Sequence, residues 1–172
     1  PISDLSCLKG KTKLYRLHLG NDKNQGKITD ISCLSSAGGL YWLEANGNQI
    51  SDISCLKGKT KLMHLEIENN RISDLSPLSD CRSLDRAFLK NNQITSVAPL
   101  EKLTQLESLY LQNNRISDVT PLAGLKNLKN LYLSGNPISD YSALKEIYPN
   151  LIACNDLSRL TGQLLGLIAK LL

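Results

Sequence analysis

What most restricts this chain is a period. An isoleucine followed by serine or threonine recurs every 22 residues, at Ile28, Ile50, Ile72, Ile94, Ile116 and Ile138, and Ile2 lies 26 residues ahead of Ile28, so the first unit carries four extra residues. The segments ISDLSCLKGKTKL at 2–14 and ISDISCLKGKTKL at 50–62 differ at one position, Leu5 against Ile53. Fixed-period similarity on this scale is the mark of a repeat array, in which no unit buries its apolar side chains alone and stacked neighbours make one continuous core. The frame is clearest at Leu106, Leu109, Leu111, Asn114, Ile116, Val119 and Leu122, which reads L-x-x-L-x-L-x-x-N-x-I-x-x-V-x-x-L. Leu109 and Leu111 alternate with polar neighbours at period two, the pattern of a short half-buried strand. One strand per unit predicts a parallel stack with strands about 4.8 Å apart. Ile116, Val119, Leu122 and Leu125 recur at spacing three, which suits a 3₁₀-like return path of about three residues per turn.

This frame resembles the leucine-rich repeat, and its 22-residue length with N-x-I-S-D-x-x-P-L is similar to the subclass of bacterial internalins and of the regulatory subunit of protein phosphatase 1. The resemblance covers residues 2–154. It implies an α/β right-handed solenoid with a parallel β-sheet on the concave face and 3₁₀ or short turns on the convex face. It also implies that Asn48, Asn70, Asn92, Asn114 and Asn136 turn inward to satisfy backbone groups at the bend, a structural role. Ala45 and Ala87 are small residues in leucine columns, which predicts local thinning or compensation by large neighbours. The expected organisation is an array over 1–154 that starts in mid-repeat without an N-terminal cap, then a C-terminal segment over 155–172. There Leu157, Leu160, Leu164, Leu167, Ile168 and Leu171 recur at helical spacing and describe an amphipathic helix that caps the last unit. Dimerisation, partner docking and the start of a further domain are the other roles open to it.

The GKT triplets within KGKTKL invite comparison with a phosphate loop. Such a loop needs a glycine five positions earlier, where this chain has Leu5 and Ile53. The net charge of +4, from 20 basic and 16 acidic residues, is modest and interspersed, without the basic stripe that nucleic acid or an anionic membrane needs. The lysines of the two KGKTK segments fall on the return side and read as solubilising charge. No apolar run reaches the length of a membrane span. Of the five cysteines, Cys7, Cys33 and Cys55 occupy the column that later holds Pro77, Pro99 and Pro121, and Cys81 stands where later units have Leu103, Leu125 and Ile147. These are repeat positions with no zinc-type spacing, so free thiols, a reducing cytoplasmic compartment and no bound metal are expected, with a secreted or bacterial cell-surface location as the alternative.

With the core columns assigned, function falls to residues that leave the sheet on the other side. One outward column reads Arg16, Trp42, His64, Arg86, Ser108, Asn130; the central one His18, Glu44, Glu66, Phe88, Tyr110, Tyr132; the next Gly20, Asn46, Glu68, Lys90, Gln112, Ser134. The single Trp, the single Phe and both His of the chain lie in these columns. Aromatic groups and arginine supply much of the energy at protein interfaces. The expected binding face is therefore Arg16, His18, Trp42, Glu44, His64, Glu66, Glu68, Arg86, Phe88, Lys90, Tyr110, Gln112 and Tyr132, gripping a protein ligand, with the chain a monomer that needs no cofactor. Phe88, Tyr110 and Tyr132 are expected to form one aromatic strip, with Trp42 in a separate acidic patch beside Glu44, Glu66 and Glu68. His64 with Glu66 and Glu68 also raises an acid–base or metal cluster, but i,i+2 strand residues stand about 6.6 Å apart on an open surface, and no nucleophile motif accompanies them. A non-enzymatic recognition module is the expectation; a structural spacer and a regulatory subunit holding an enzyme are its rivals. The polar, glycine-bearing insertion at 20–27 reads as a protruding loop.

Overall fold

The computed structural model describes residues 2–20 and 23–154. The expected capping helix at 155–172 lies outside the described residues, as do Asn21 and Asp22 of the first-unit insertion. Seven short strands, β1 (Arg16–His18), β2 (Trp42–Glu44), β3 (His64–Glu66), β4 (Arg86–Phe88), β5 (Ser108–Tyr110), β6 (Asn130–Tyr132) and β7 (Ala153–Cys154), form one open parallel sheet in sequential order. The leucine frame sets the register, which pairs Leu43 with Leu65 and Leu109 with Leu131. Each chain return is a 3₁₀ turn, from Ser6–Leu8 and Ser32–Ser36 through Thr120–Leu122 to Ser142–Glu146 and Tyr148–Asn150, in keeping with the spacing-three pattern.

The aspartate of the I-S/T-D triplet builds six of these turns. Asp4, Asp30, Asp52, Asp74, Asp118 and Asp140 each accept a hydrogen bond from the backbone N–H two residues on, at 2.7–2.8 Å. This local side-chain bond nucleates the turn. At Asp4, Asp30 and Asp140 the backbone N–H of the following serine is the main reason the carboxyl is held below its usual range; at Asp74 and Asp118 the neighbouring hydroxyl is the larger cause.

Between sheet and turns runs one core, in which Leu43, Leu65, Leu109, Leu131, Leu56, Leu78, Leu100 and Leu122 are fully buried. Burying each such side chain contributes about 1.5–3 kcal/mol before the entropy of ordering it is counted. Ala45 and Ala87 are fully buried too. The asparagine ladder does what the resemblance implies: Asn70 Nδ2 donates to the carbonyls of Ala45, Ile67 and Glu68 at 2.9–3.1 Å, and its Oδ1 accepts from the Ile50 N–H at 3.0 Å. Asn92 and Asn114 repeat the pattern one and two units on.

A second asparagine column, Asn69, Asn91 and Asn113, has φ of 54–56° with Gly47 and Gly135 in the same place at either end. Asparagine and glycine are the residues that tolerate this left-handed turn.

One lysine departs from its solubilising assignment. Lys59 is only 3% exposed, and its Nζ donates to the Ser35 carbonyl at 2.8 Å. It stands 22 residues before Cys81 and therefore in the core column of Cys81, Leu103, Leu125 and Ile147. Burial pulls its amine below the usual lysine value, against the opposing pull of Cys55 and Cys81. Burial likewise pushes the Cys55 thiol up to about 12 and the Cys81 thiol up to about 11. All five cysteines are free.

Candidate functional site

The outward columns lie across the sheet in register. Arg16 aligns with Trp42, His64, Arg86, Ser108 and Asn130, and His18 with Glu44, Glu66, Phe88, Tyr110 and Tyr132. Because successive side chains on a strand leave opposite faces, the buried leucines oblige these residues to face away from the core.

The rings stack along the sheet. Tyr132 and Tyr110 lie with centroids 4.6 Å apart and Tyr110 and Phe88 4.5 Å apart, both near parallel. Phe88 then meets His64 at 5.5 Å, His64 stacks on Trp42 at 3.9 Å, and Trp42 meets His18 at 6.0 Å. The expected division into an aromatic strip and a separate Trp42 patch is thus corrected: His64 bridges the two columns, and one ladder crosses β1 to β6. An imidazole is flat enough to stack on the indole and lean towards the phenyl ring of the next strand. His64 is therefore only 7% exposed, a filler of the ladder rather than an open contact. Offset stacks of this kind add about 0.5–1.5 kcal/mol per pair beyond burial. A further pair, Tyr15 on Tyr41 at 4.9 Å, lies just ahead of β1 and β2.

Polar groups flank the N-terminal half of the ladder. Arg16 Nε donates to His18 Nε2 at 2.8 Å, its guanidinium carbon sits 3.8 Å from the Trp42 ring centroid, and His18 Nδ1 is 2.6 Å from Glu44 Oε2. His64 Nε2 is 2.6 Å from Glu66 Oε1, and Asn46 Nδ2 donates to Glu66 Oε2 at 3.2 Å while Asn46 Oδ1 accepts from the Glu68 N–H at 2.8 Å. Asn46 was not among the expected contacts, although its place in the column of Glu68 and Lys90 marks it. Burial raises the Glu68 carboxyl, the charge of Lys90 lowers it, and Glu66 raises it further. In the aromatic half, burial and then Tyr132 raise the Tyr110 phenol.

Arg86 is exposed on β4, and Lys90 and Gln112 are half-buried beside it. Trp42 Nε1 and Gln112 Oε1 are buried, with no hydrogen-bond partner among the described residues. Among the described residues no group of three or more His, Cys, Asp and Glu side chains is arranged to hold a metal ion. No helix among them is long and apolar enough to cross a membrane.

A solenoid whose open sheet carries its distinctive side chains belongs to the repeat proteins that present one continuous face. The comparisons place it within that class. A family model described as leucine-rich repeats (2 copies) matches residues 82–124 and 104–146. The structure is similar to an internalin, inlF, of Listeria monocytogenes, at 30% identity over 90% of this chain and 51% of that one, with a TM-score of 0.78. It is also similar to internalin C2 of the same organism, at 33% identity over 89% of this chain and 66% of that one, with a TM-score of 0.82. A plant peptide hormone receptor, RGFR1, solved in complex with RGF2, matches at 25% identity over 81% of this chain and 24% of that one, with a TM-score of 0.69. No curated protein sequence matches the chain. The chain is a leucine-rich-repeat protein of the 22-residue subclass, and such repeats commonly form protein–protein interaction modules. It spans 51% of the first internalin and 66% of the second.

Proposed function

We propose that this chain is a non-enzymatic recognition module that binds a protein or peptide ligand across the concave face of its sheet. The observation that carries this reading is the ladder from Trp42 through His64, Phe88 and Tyr110 to Tyr132. No described element covers it, and the rings of Trp42, Phe88, Tyr110 and Tyr132 stay half-exposed. A core needs no such ladder, since the leucine columns already fill the interior, and rigid aromatic anchors give large contact area at little entropic cost. Trp42, Phe88, Tyr110 and Tyr132 are the anchors. Arg86, Lys90, Glu44, Glu66 and Glu68 orient the ligand through charge, as rim charges do. A peptide ligand agrees with the plant receptor, whose solved form is a complex.

The test is affinity capture from cell extracts, comparing the chain with a variant carrying Trp42→Ala, Phe88→Ala, Tyr110→Ala and Tyr132→Ala that folds alike by circular dichroism. A polypeptide retained by the unmutated chain should be lost from the variant, since truncating an interface anchor costs about 2 kcal/mol or more. Equal retention by both chains would refute concave-face binding and favour a spacer role.

A further inference from the structure

We propose that the ligand of the concave face carries an acidic side chain that docks on Arg86, in a trough running from β4 to β7 beside the aromatic ladder. This rests on the recognition reading given above and deepens it, since it names the chemistry of the peptide that the face takes.

The trough follows from the register. Arg86, Ser108, Asn130 and Ala153 are successive members of one outward column. That column begins with the large side chains of Arg16, Trp42 and His64 and drops to shorter ones after Arg86. Ser108 is buried and its hydroxyl accepts from Asn130 Nδ2 at 3.0 Å, so the two satisfy each other and make a low floor. Tyr110 and Tyr132, stacked at 4.6 Å in the next column, stand along one side. Three strand spacings of about 4.8 Å give a length of roughly 14 Å, room for about four residues of extended chain.

Charge decides what fits there. Over β4 to β6 the three outward columns hold two cations, Arg86 and Lys90, and no carboxylate. Arg86 is exposed and takes part in none of the ion pairs or side-chain hydrogen bonds among the described residues. The carboxylates of the other half are already engaged, Glu44 with His18 and Glu66 with His64 and Asn46, while Glu68 lies within reach of the Lys90 charge. A guanidinium presents a planar fork of donors that matches a carboxylate. A ligand carboxylate is therefore drawn to the β4 end of the trough and repelled by the three glutamates of the β2 and β3 half, which fixes the direction in which the peptide lies.

The remaining charges nearby leave the guanidinium open. Asp85 directly precedes Arg86, and strand alternation turns it off the outward face. Glu107, in the same row one unit on, is paired with Lys129 at 2.9 Å. The first-unit insertion at 20–27 follows β1, three strands from β4, and its described charges, Lys23 and Lys27, are exposed cations.

The probe is a phage-displayed library of random linear peptides of about twelve residues, long enough to cross the ladder. The peptides are joined to the coat protein by their C-termini, so no terminal carboxylate is offered. The library is panned on the full chain, and peptides that also bind the variant carrying Trp42→Ala, Phe88→Ala, Tyr110→Ala and Tyr132→Ala are discarded. Those retained should share an Asp or Glu within about four residues of an aromatic or leucine side chain. With one such peptide made synthetically and amidated at its C-terminus, Arg86→Gln should weaken binding about tenfold. Replacing the acid of the peptide by its amide should do the same, and the two changes together should weaken binding no further. Lys102→Gln, at an exposed lysine off the sheet, should change nothing, and circular dichroism checks that Arg86→Gln keeps the fold. Retained peptides with no shared acidic residue, or binding that Arg86→Gln leaves as tight as before, would overturn the carboxylate dock while the ladder keeps its place in recognition. A library that yields no ladder-dependent peptide would overturn this proposal and the recognition reading together.

Discussion

Residues 2–14 and 50–62 are the same segment set in two places, and their backbones agree closely. Both form a 3₁₀ turn, Ser6–Leu8 and Ser54–Leu56, entered at φ, ψ of −114°, 17° and −117°, 21°. Both leave through a glycine of positive φ, 76° at Gly10 and 71° at Gly58. Their burial differs at five matched positions. Ile2 is 68% exposed where Ile50 is fully buried. Cys7 is exposed where Cys55 is buried, and Leu8 and Leu14 are half-buried where Leu56 and Leu62 are sealed. Lys11 is exposed, whereas Lys59 is locked onto the Ser35 carbonyl of the preceding unit. Local sequence thus dictates conformation, through the aspartate-capped turn and the glycine exit. Position in the stack dictates environment, because neighbouring units supply the side chains that cover a turn's apolar residues.

The largest expected contrast is in thiol chemistry. Cys7 should react with N-ethylmaleimide on the order of a thousandfold faster than Cys55, which must wait for local opening and whose thiol burial pushes up to about 12. Labelling followed by peptide mass spectrometry measures both sites in one chain, and comparable rates would mean that the third unit opens as freely as the first.

Next in size is packing. Leu56→Ala should cost about 3 kcal/mol in urea unfolding, as cavities in sealed cores do, while Leu8→Ala should cost less than about 1 kcal/mol. Equal losses would show that the first unit is as well covered as the third.

The smallest contrast concerns the two lysines. Burial holds Lys59 below its ordinary value of 10.5, so in the folded chain it binds its proton less tightly than when unfolded. Between its folded value and 10.5 the unfolded state binds more protons, and stability rises with pH. Lys59→Met removes this burden and fills a column of apolar neighbours, so it should change stability by about 1 kcal/mol or less. Its advantage over the unmutated chain should shrink as pH climbs through that window. Lys11→Met should leave stability within about 0.5 kcal/mol of the unmutated chain, because Lys11 is exposed.

The architecture was legible before any coordinates, because a 22-residue period leaves few ways to bury its leucines. The strand register and the 3₁₀ returns follow from columns that can be read down the page, and the inward asparagines from the resemblance those columns carry. The capping aspartates were legible in principle, since the I-S/T-D triplet recurs beside six of the eight turns, but they became informative only once the donated N–H groups were seen. Lys59 could have been found by counting 22 residues back from Cys81. The outward columns told which residues share the face and left open which of them touch. Trp42 and Phe88 occupy different columns, and only the tilt of His64 between them makes one ladder. The contacts among Arg16, His18 and Glu44 cross two strands and two columns, so no one-dimensional spacing announces them.

The sequence by itself determined the repeat, the strand and turn of every unit and the side each residue faces, because these depend on short-range dihedral preferences and on periods of two, three and 22 residues. Tertiary structure alone decided which identical residues are buried and which rings stack. Those outcomes depend on distances between side chains of different units, and such distances exist only once the stack has formed.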